Sequence, residues 1–419
     1  MRTLSRLLAP SLFTLGLTLV SACGDDGGGG GNNPDASIGT DGSQSNPDAP
    51  SNCVRTPGAA DRARYVVVAR PYNAGGNPSS MYEVVELSAQ GRFTRFSPPR
   101  LFSLGSRAPF GNIAFTPDGE VGIVPMTNGQ LGVFRLDVGG QPTVVAASFE
   151  GEFYADSVVM DPSGEFAWVV DANTRENGGG IHKIGIACDG TVTDLGIVAA
   201  ARSPGGIGFK GTKAVIPARD ILDSGNTNND VHLVDWSANP PTRIAAGDAF
   251  TNNDQIFSGF AMSHDGTKAF IGDSNVSGTN RVAVVGISDT AVTPLAVLDN
   301  IIDPSAIATS PHGDVAIVSA SQPGGQYAEG IYILDAGGAN GTWRVRGELS
   351  YANGAAVLPG DMAPITRGEL AGSVLIAELT NIRRVVFRAN GMVDDVDSLT
   401  FDSGGDSPAD IVGAIGVQP

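Results

Sequence analysis

Apolar residues in this chain fall in short runs separated by polar turns, and no long stretch keeps the period of about 3.6 residues expected of an amphipathic helix. One phrase recurs: an apolar strand, a turn ending in glycine, and a second apolar strand. It reads "IAFTPDGEVGIVP", "VVMDPSGEFAWVV", "IGFKGTKAVIP", "FAMSHDGTKAFIG" and "IATSPHGDVAIVS", with a degenerate copy in "PITRGELAGSVLIAE". The turn glycines Gly119, Gly164, Gly211, Gly266 and Gly313 are spaced by 45, 47, 55 and 47 residues. That spacing is the length of one four-stranded propeller blade. A third strand lines up in each unit as "VFRLD", "IHKIG", "VHLVD", "VAVVG", "IYILD" and "VVFRA". Several of these run into hairpin dipeptides (Asp189-Gly190, Gly337-Gly338, Asn390-Gly391), so a fourth strand should follow.

Six copies begin near Gly111, and the seventh is split. "RYVVVARP" at Arg64 reads as a second strand without a first, and "MYEVVELSAQG" as the third. The missing first strand stands at the other end, where "DSPADIVGAIGV" (406–417) parallels "IDPSAIATS" (302–310). The pattern predicts an all-β, seven-bladed propeller over residues 61–419, built of four-stranded antiparallel blades. Its ring is closed by the C-terminal strand, which removes a free sheet edge.

These phrases resemble the repeats of the YVTN/lactonase-like propellers, whose signature is close to Ser-Pro-Asp-Gly followed by an alternating strand. The resemblance covers nearly all of residues 61–419. It implies a fold rather than a chemistry, because that superfamily holds enzymes and pure binding modules alike.

The pattern changes before residue 61. Arg2 and Arg6 precede an apolar run over 7–19, too short to span a bilayer as a stable helix, and the small residues of Val20-Ser21-Ala22-Cys23 follow. This segment resembles a bacterial lipobox. The resemblance implies a signal peptide over 1–22 and lipidation at Cys23, with Gly24 favouring an outer-membrane address, facing either the periplasm or the exterior. The alternative is an ordinary secretory leader. Residues 23–60, with five consecutive glycines and two copies of "NPDA", cannot bury a core and read as a flexible tether.

With Cys23 set aside, Cys53 and Cys188 form an even pair in an oxidising compartment, and a bridge between them is expected. Cys188 ends a third strand, and the 12 residues from Cys53 to Tyr65 can cross the face on which that hairpin lies. The alternative is two separate thiols. With 26 basic and 44 acidic side chains, net −18, the chain is a poor partner for nucleic acid. A monomer is expected.

The segment 206–211 reads G-x-G-x-x-G, but the repeat places it in a first strand and turn, with a strand after it. A dinucleotide site needs a helix there. Long polar segments fall after the second strands, on one face of the ring: "RPYNAGGNPSSM", "DANTRENGGG", "PARDILDSGNTNND", "GDSNVSGTN" and "SASQPGGQYAEG". They are either a binding surface or tolerated insertions. Within them Asp220, Asp223, Asn226, Asn228 and Asp230 supply the hard oxygens calcium prefers. Val231 and Ser237 stand where an EF-hand-like loop needs glycine and glutamate, so a solvated loop is the competing reading.

Asp156, Asp303, Asp361 and Asp406 precede innermost strands and should border the channel mouth, where lactonase-type propellers bind metal or substrate. Turn caps are the competing reading. His182 and His232 occupy equivalent positions in third strands, away from the channel, and are expected to be packed or surface residues rather than a base or ligand pair. Trp168, Trp236 and Trp343 should pack between blades. These features predict a lipid-anchored envelope module that binds a protein or glycan through its long-loop face. The alternative is a lactonase or lyase using the channel-mouth acids with a divalent ion.

Overall fold

Strands dominate because β-branched and aromatic residues alternate between glycine-bearing turns, and each turn glycine takes the left-handed conformation its hairpin needs (Gly119 at φ 77°, Gly266 at φ 66°). The computed structural model describes residues 55–419 apart from 107, 110–111, 127–128, 150–154, 173–178, 223–229, 251–255, 275–279, 321–328 and 403–406. The strands form seven antiparallel sheets arranged in a ring. The first blade holds Ile415–Val417, Arg64–Tyr72, Pro78–Leu87 and Phe93–Ser103, from the axis outward. The second begins with Ala114–Phe115, the third with Ala155–Met160, the fourth with Gly208–Lys210. The fifth begins with Phe257–Met262, the sixth with Pro304–Thr309 and the seventh with Met362–Ile365.

Strand periodicity explains how the blades cohere. In Arg64–Tyr72, Val66 and Val68 pack against the seventh blade, whereas Val67 and Ala69 pack against the second. Second and third strands are therefore buried on both faces, which is why they read as near-continuous apolar runs. Seven apolar clusters fill the seven gaps between neighbours. Each fully buried aliphatic side chain contributes roughly 1.5–3 kcal/mol. The tryptophans pack in two of these gaps, as expected. Trp168 meets Trp236 edge-on at 5.3 Å between the third and fourth blades, and Trp343 meets Phe270 at 4.9 Å between the sixth and fifth.

The tail closes the ring. Val417, Gly416 and Ile415 pair with Val66, Val67 and Val68, and Gly413 and Ala414 continue the ladder with Ala69 at 2.9 and 2.8 Å. The Gln418 side chain accepts from the Tyr65 amide at 3.1 Å and donates to the Gly119 carbonyl at 2.6 Å. Gly416 is required here, because a Cβ would stand 2.4 Å from the Ile113 carbonyl oxygen. The strand is shorter than the sequence parallel suggests. Pro408–Asp410 forms a single 3-10 turn, with Pro408 in its first turn, where a missing N–H costs nothing.

The third blade departs from the four-strand plan. Its outermost strand, Val192–Arg202, accepts a fifth, Asp220–Ile221, which arrives from the long segment of the fourth blade. Ile221 anchors it, almost wholly buried among Trp168, Val170 and Ile216.

Residues 55–63 lie on the short-turn face. Arg55 is buried, pairs with Asp118 of the second blade at 3.1 Å and donates to the Ala187 carbonyl of the third at 2.6 Å. Farther along, Asp61 accepts from the Glu369 amide of the seventh blade at 2.9 Å. Arg55, Gly58 and Ala60, assigned to the tether from sequence, thus bond to residues of the ring.

Candidate functional site

Second strands end, and innermost strands begin, on the long-loop face, so this face gathers the candidate acids. Asp361, just before Met362–Ile365, is only partly exposed and turns its carboxylate to the seam, where Oδ2 accepts from the Ile415 amide at 3.2 Å. Burial pushes its carboxyl up to about 7, against the hydrogen bonds from Ile415 and Met362, which lower it. Asp303 sits in the left-handed region at φ 49°, and its amide donates to Asn280 Oδ1 at 3.2 Å. Asp156 lies in the strand Ala155–Met160, and Asp406 lies outside the described residues. Among the described residues no group of three or more His, Cys, Asp or Glu side chains is arranged to hold a metal ion.

The calcium candidates divide. Asp223, Asn226 and Asn228 lie outside the described residues. Asp220 sits in the fifth strand of the third blade and caps the Ile221 amide at 2.8 Å. Asp230 is buried, and its Oδ2 accepts from the Phe250 amide at 2.8 Å. Cys23 and Cys53 also lie outside the described residues, whereas Cys188 stands in the hairpin next to Ala187.

What sequence reading missed is a buried charge pattern repeated at one register. It uses the end of the second strand, the third strand two residues beyond the paired position, and the outermost strand opposite. In the first blade these are Arg70, Glu83 and Arg95. Arg70 Nε lies 3.9 Å from Glu83, and Arg95 Nη2 donates to Glu83 Oε2 at 3.1 Å. In the third blade they are Asp171, His182 and Asp194. His182 Nδ1 is 3.0 Å from Asp194 Oδ2, and Nε2 is 3.8 Å from Asp171 Oδ2. In the seventh they are Glu378, Arg383 and Asp395. Arg383 Nη2 donates to Glu378 Oε2 at 3.2 Å, and Arg383 also pairs with Asp395.

In every case the middle group opposes both flanks. Burial would be costly for any of these charges alone, and pairing on two sides offsets that cost. The fifth blade carries a two-member pair at a different register, Asp273 with the directly opposite Arg281 at 3.1 Å. The fourth places His232 at the middle position, with Nε2 3.1 Å from the Ala218 carbonyl. Part of the signal was available: ionisable letters interrupt otherwise apolar third strands, as in "MYEVVEL", "GIHKIGI" and "NIRRVVF".

No family model matches the sequence, and no curated protein matches it. Solved structures do. A periplasmic gluconolactonase from Pseudomonas aeruginosa superposes with a TM-score of 0.56 at 14% identity, covering 81% of this chain and 96% of that one. A putative 6-phosphogluconolactonase from Bacteroides uniformis gives 0.59 at 14% identity, covering 85% and 99%. The fold is that of the lactonase-like propellers. Sqt1 from Chaetomium thermophilum, bound to the N-terminus of the ribosomal protein L10, matches with a TM-score of 0.50 at 13% identity over 82% of this chain and 89% of that one. At such identities the likeness extends to the fold alone.

Proposed function

We propose that this lactonase-like propeller is a lipid-anchored module of the cell envelope that binds a protein or glycan through its long-loop face. The observation that carries the reading is the division of labour between its two faces. The short-turn face is covered in part by residues 55–63, and the chain enters the ring there, beside Asp118 and Ala187. On this reading lipidation at Cys23 anchors the chain, and its entry at Arg55 on the short-turn face leaves the long segments after the second strands available to a partner. A Cys53–Cys188 bridge fits this path, since Arg55, two residues after Cys53, bonds to the neighbour of Cys188.

A photo-crosslinking amino acid at exposed Ala74, in the first long segment, tests the reading against one at exposed His264, on the short-turn face. Specific adducts with an envelope protein or glycan at Ala74 and none at His264 support it. Adducts at neither site, or equally at both, contradict it.

A second reading rests on Asp361. A carboxyl held near neutrality at the start of an innermost strand suits a general acid or base, and two of the similar structures are described as lactonases. On that reading Asp361 accepts or donates the proton during opening of a sugar lactone. Turnover of gluconolactone by the purified chain, lost in Asp361→Asn, supports this alternative.

A further inference from the structure

The three buried charge patterns differ in one respect that matters chemically. The middle group is arginine in the seventh blade and glutamate in the first, side-chain types whose ordinary charge change falls outside the neutral range. In the third blade it is His182, whose side-chain type changes charge between about pH 5 and 8. A neutral imidazole has one N–H. Set between two carboxylates, it turns a bare nitrogen lone pair toward one of them, so only the imidazolium satisfies both flanks.

The surroundings select the charged form. The His182 ring is buried, with Phe149 packed on it at 4.9 Å. Among the described residues the charged groups that reach it are Asp171, from the second strand, and Asp194, from the outermost. Burial alone pushes the imidazole down, but attraction to Asp171 and the hydrogen bond and attraction to Asp194 outweigh it and hold the group above its ordinary value. Asp171 immediately precedes the long segment 172–179. The strand of Asp194 ends at Arg202, which carries the fifth strand.

We propose that His182 is a proton-operated clasp: as an imidazolium it ties the second strand of the third blade to the outermost, and its loss of a proton to solvent as pH rises frees the long-loop end of that blade. The clasp works whether or not that face binds the class of partner named above. Because the folded value is raised, the stabilisation is complete below about pH 6.5 and disappears as pH rises through the folded value.

The test uses the mature chain in the Asp361→Asn background, which removes the raised carboxyl at the seam. Histidine NMR should give a His182 titration midpoint above about 6.5, assigned by its disappearance in His182→Arg. Hydrogen exchange, corrected for the intrinsic rate, should show protection in Gly180–Ile186 and Val192–Arg202 falling severalfold from pH 6 to 9. In His182→Arg, which copies the seventh blade, protection should not change. A midpoint at or below about 6.5, or equal loss of protection in both proteins, overturns the proposal. Should His182→Arg fail to fold, the NMR midpoint of the parent, assigned through His182→Gln, decides alone.

Discussion

Asp361 and Ile415 are 54 residues apart in sequence and joined by a 3.2 Å hydrogen bond, carboxylate Oδ2 to backbone amide, across the seam where the two ends of the ring meet. The innermost strand of the seventh blade begins at the next residue, and the closing strand of the first begins at Ile415 itself. A candidate catalytic acid is thereby also a structural clip.

The clip has a calculable pH dependence. Its folded value, about 7, is raised above the ordinary carboxylate value of 3.8. Its contribution to stability is therefore full below that ordinary value and lost as pH rises through about 7. Asp361→Asn keeps an acceptor for Ile415 without the charge. The stability advantage of Asp361→Asn over the parent should grow from pH 5 to 8 by on the order of 1–2 kcal/mol, allowing for partial exposure. Urea unfolding at the two pH values measures it. An advantage that does not grow means the carboxyl titrates in its ordinary range.

The buried pattern of the seventh blade should be expensive to break. Arg383, Glu378 and Asp395 have wholly buried side chains. Arg383→Leu leaves two carboxylates without their cation and should cost roughly 3–5 kcal/mol in chemical denaturation. A loss below about 1 kcal/mol would show that water reaches the site and screens it.

The fifth strand of the third blade should be held by one side chain. Ile221→Asp places a charge in a nearly closed apolar site beside Trp168. It should raise amide exchange at Leu222, whose N–H bonds the Ala200 carbonyl at 2.9 Å, without unfolding the ring. Exchange at Leu222 equal to that of the parent contradicts the anchoring role.

The proposed bridge predicts that the intact mature chain is two hydrogens lighter before reduction than after, with Cys53 and Cys188 in one non-reduced peptide pair. Two free thiols in protein taken from the envelope would rule the bridge out.

The ring was legible in the sequence because strands buried on both faces read as near-continuous apolar runs, and the glycine turns recur at blade spacing. The split blade was legible for the same reason: "RYVVVARP" lacks an inner partner that the tail supplies. The fifth strand was not. Asp220–Ile221 is two residues long, and its pairing is set by tertiary proximity to Arg202, not by local pattern. The charge patterns were half visible. His182 stands out within "IHKIG", but its flanks Asp171 and Asp194 come from other strands, and only the register brings the three together. For Asp361, the sequence shows an acid at an innermost-strand start, and only the fold shows what its oxygen touches.

The assignment of Asp361 to the seam rather than to chemistry has one direct measurement. Gluconolactone turnover and unfolding stability are followed together in the parent and in Asp361→Asn at pH 8. The account predicts no turnover above the uncatalysed rate in either protein and a more stable Asp361→Asn. Measurable turnover in the parent, lost in an Asp361→Asn protein of unchanged stability, would contradict it and make Asp361 a catalytic residue.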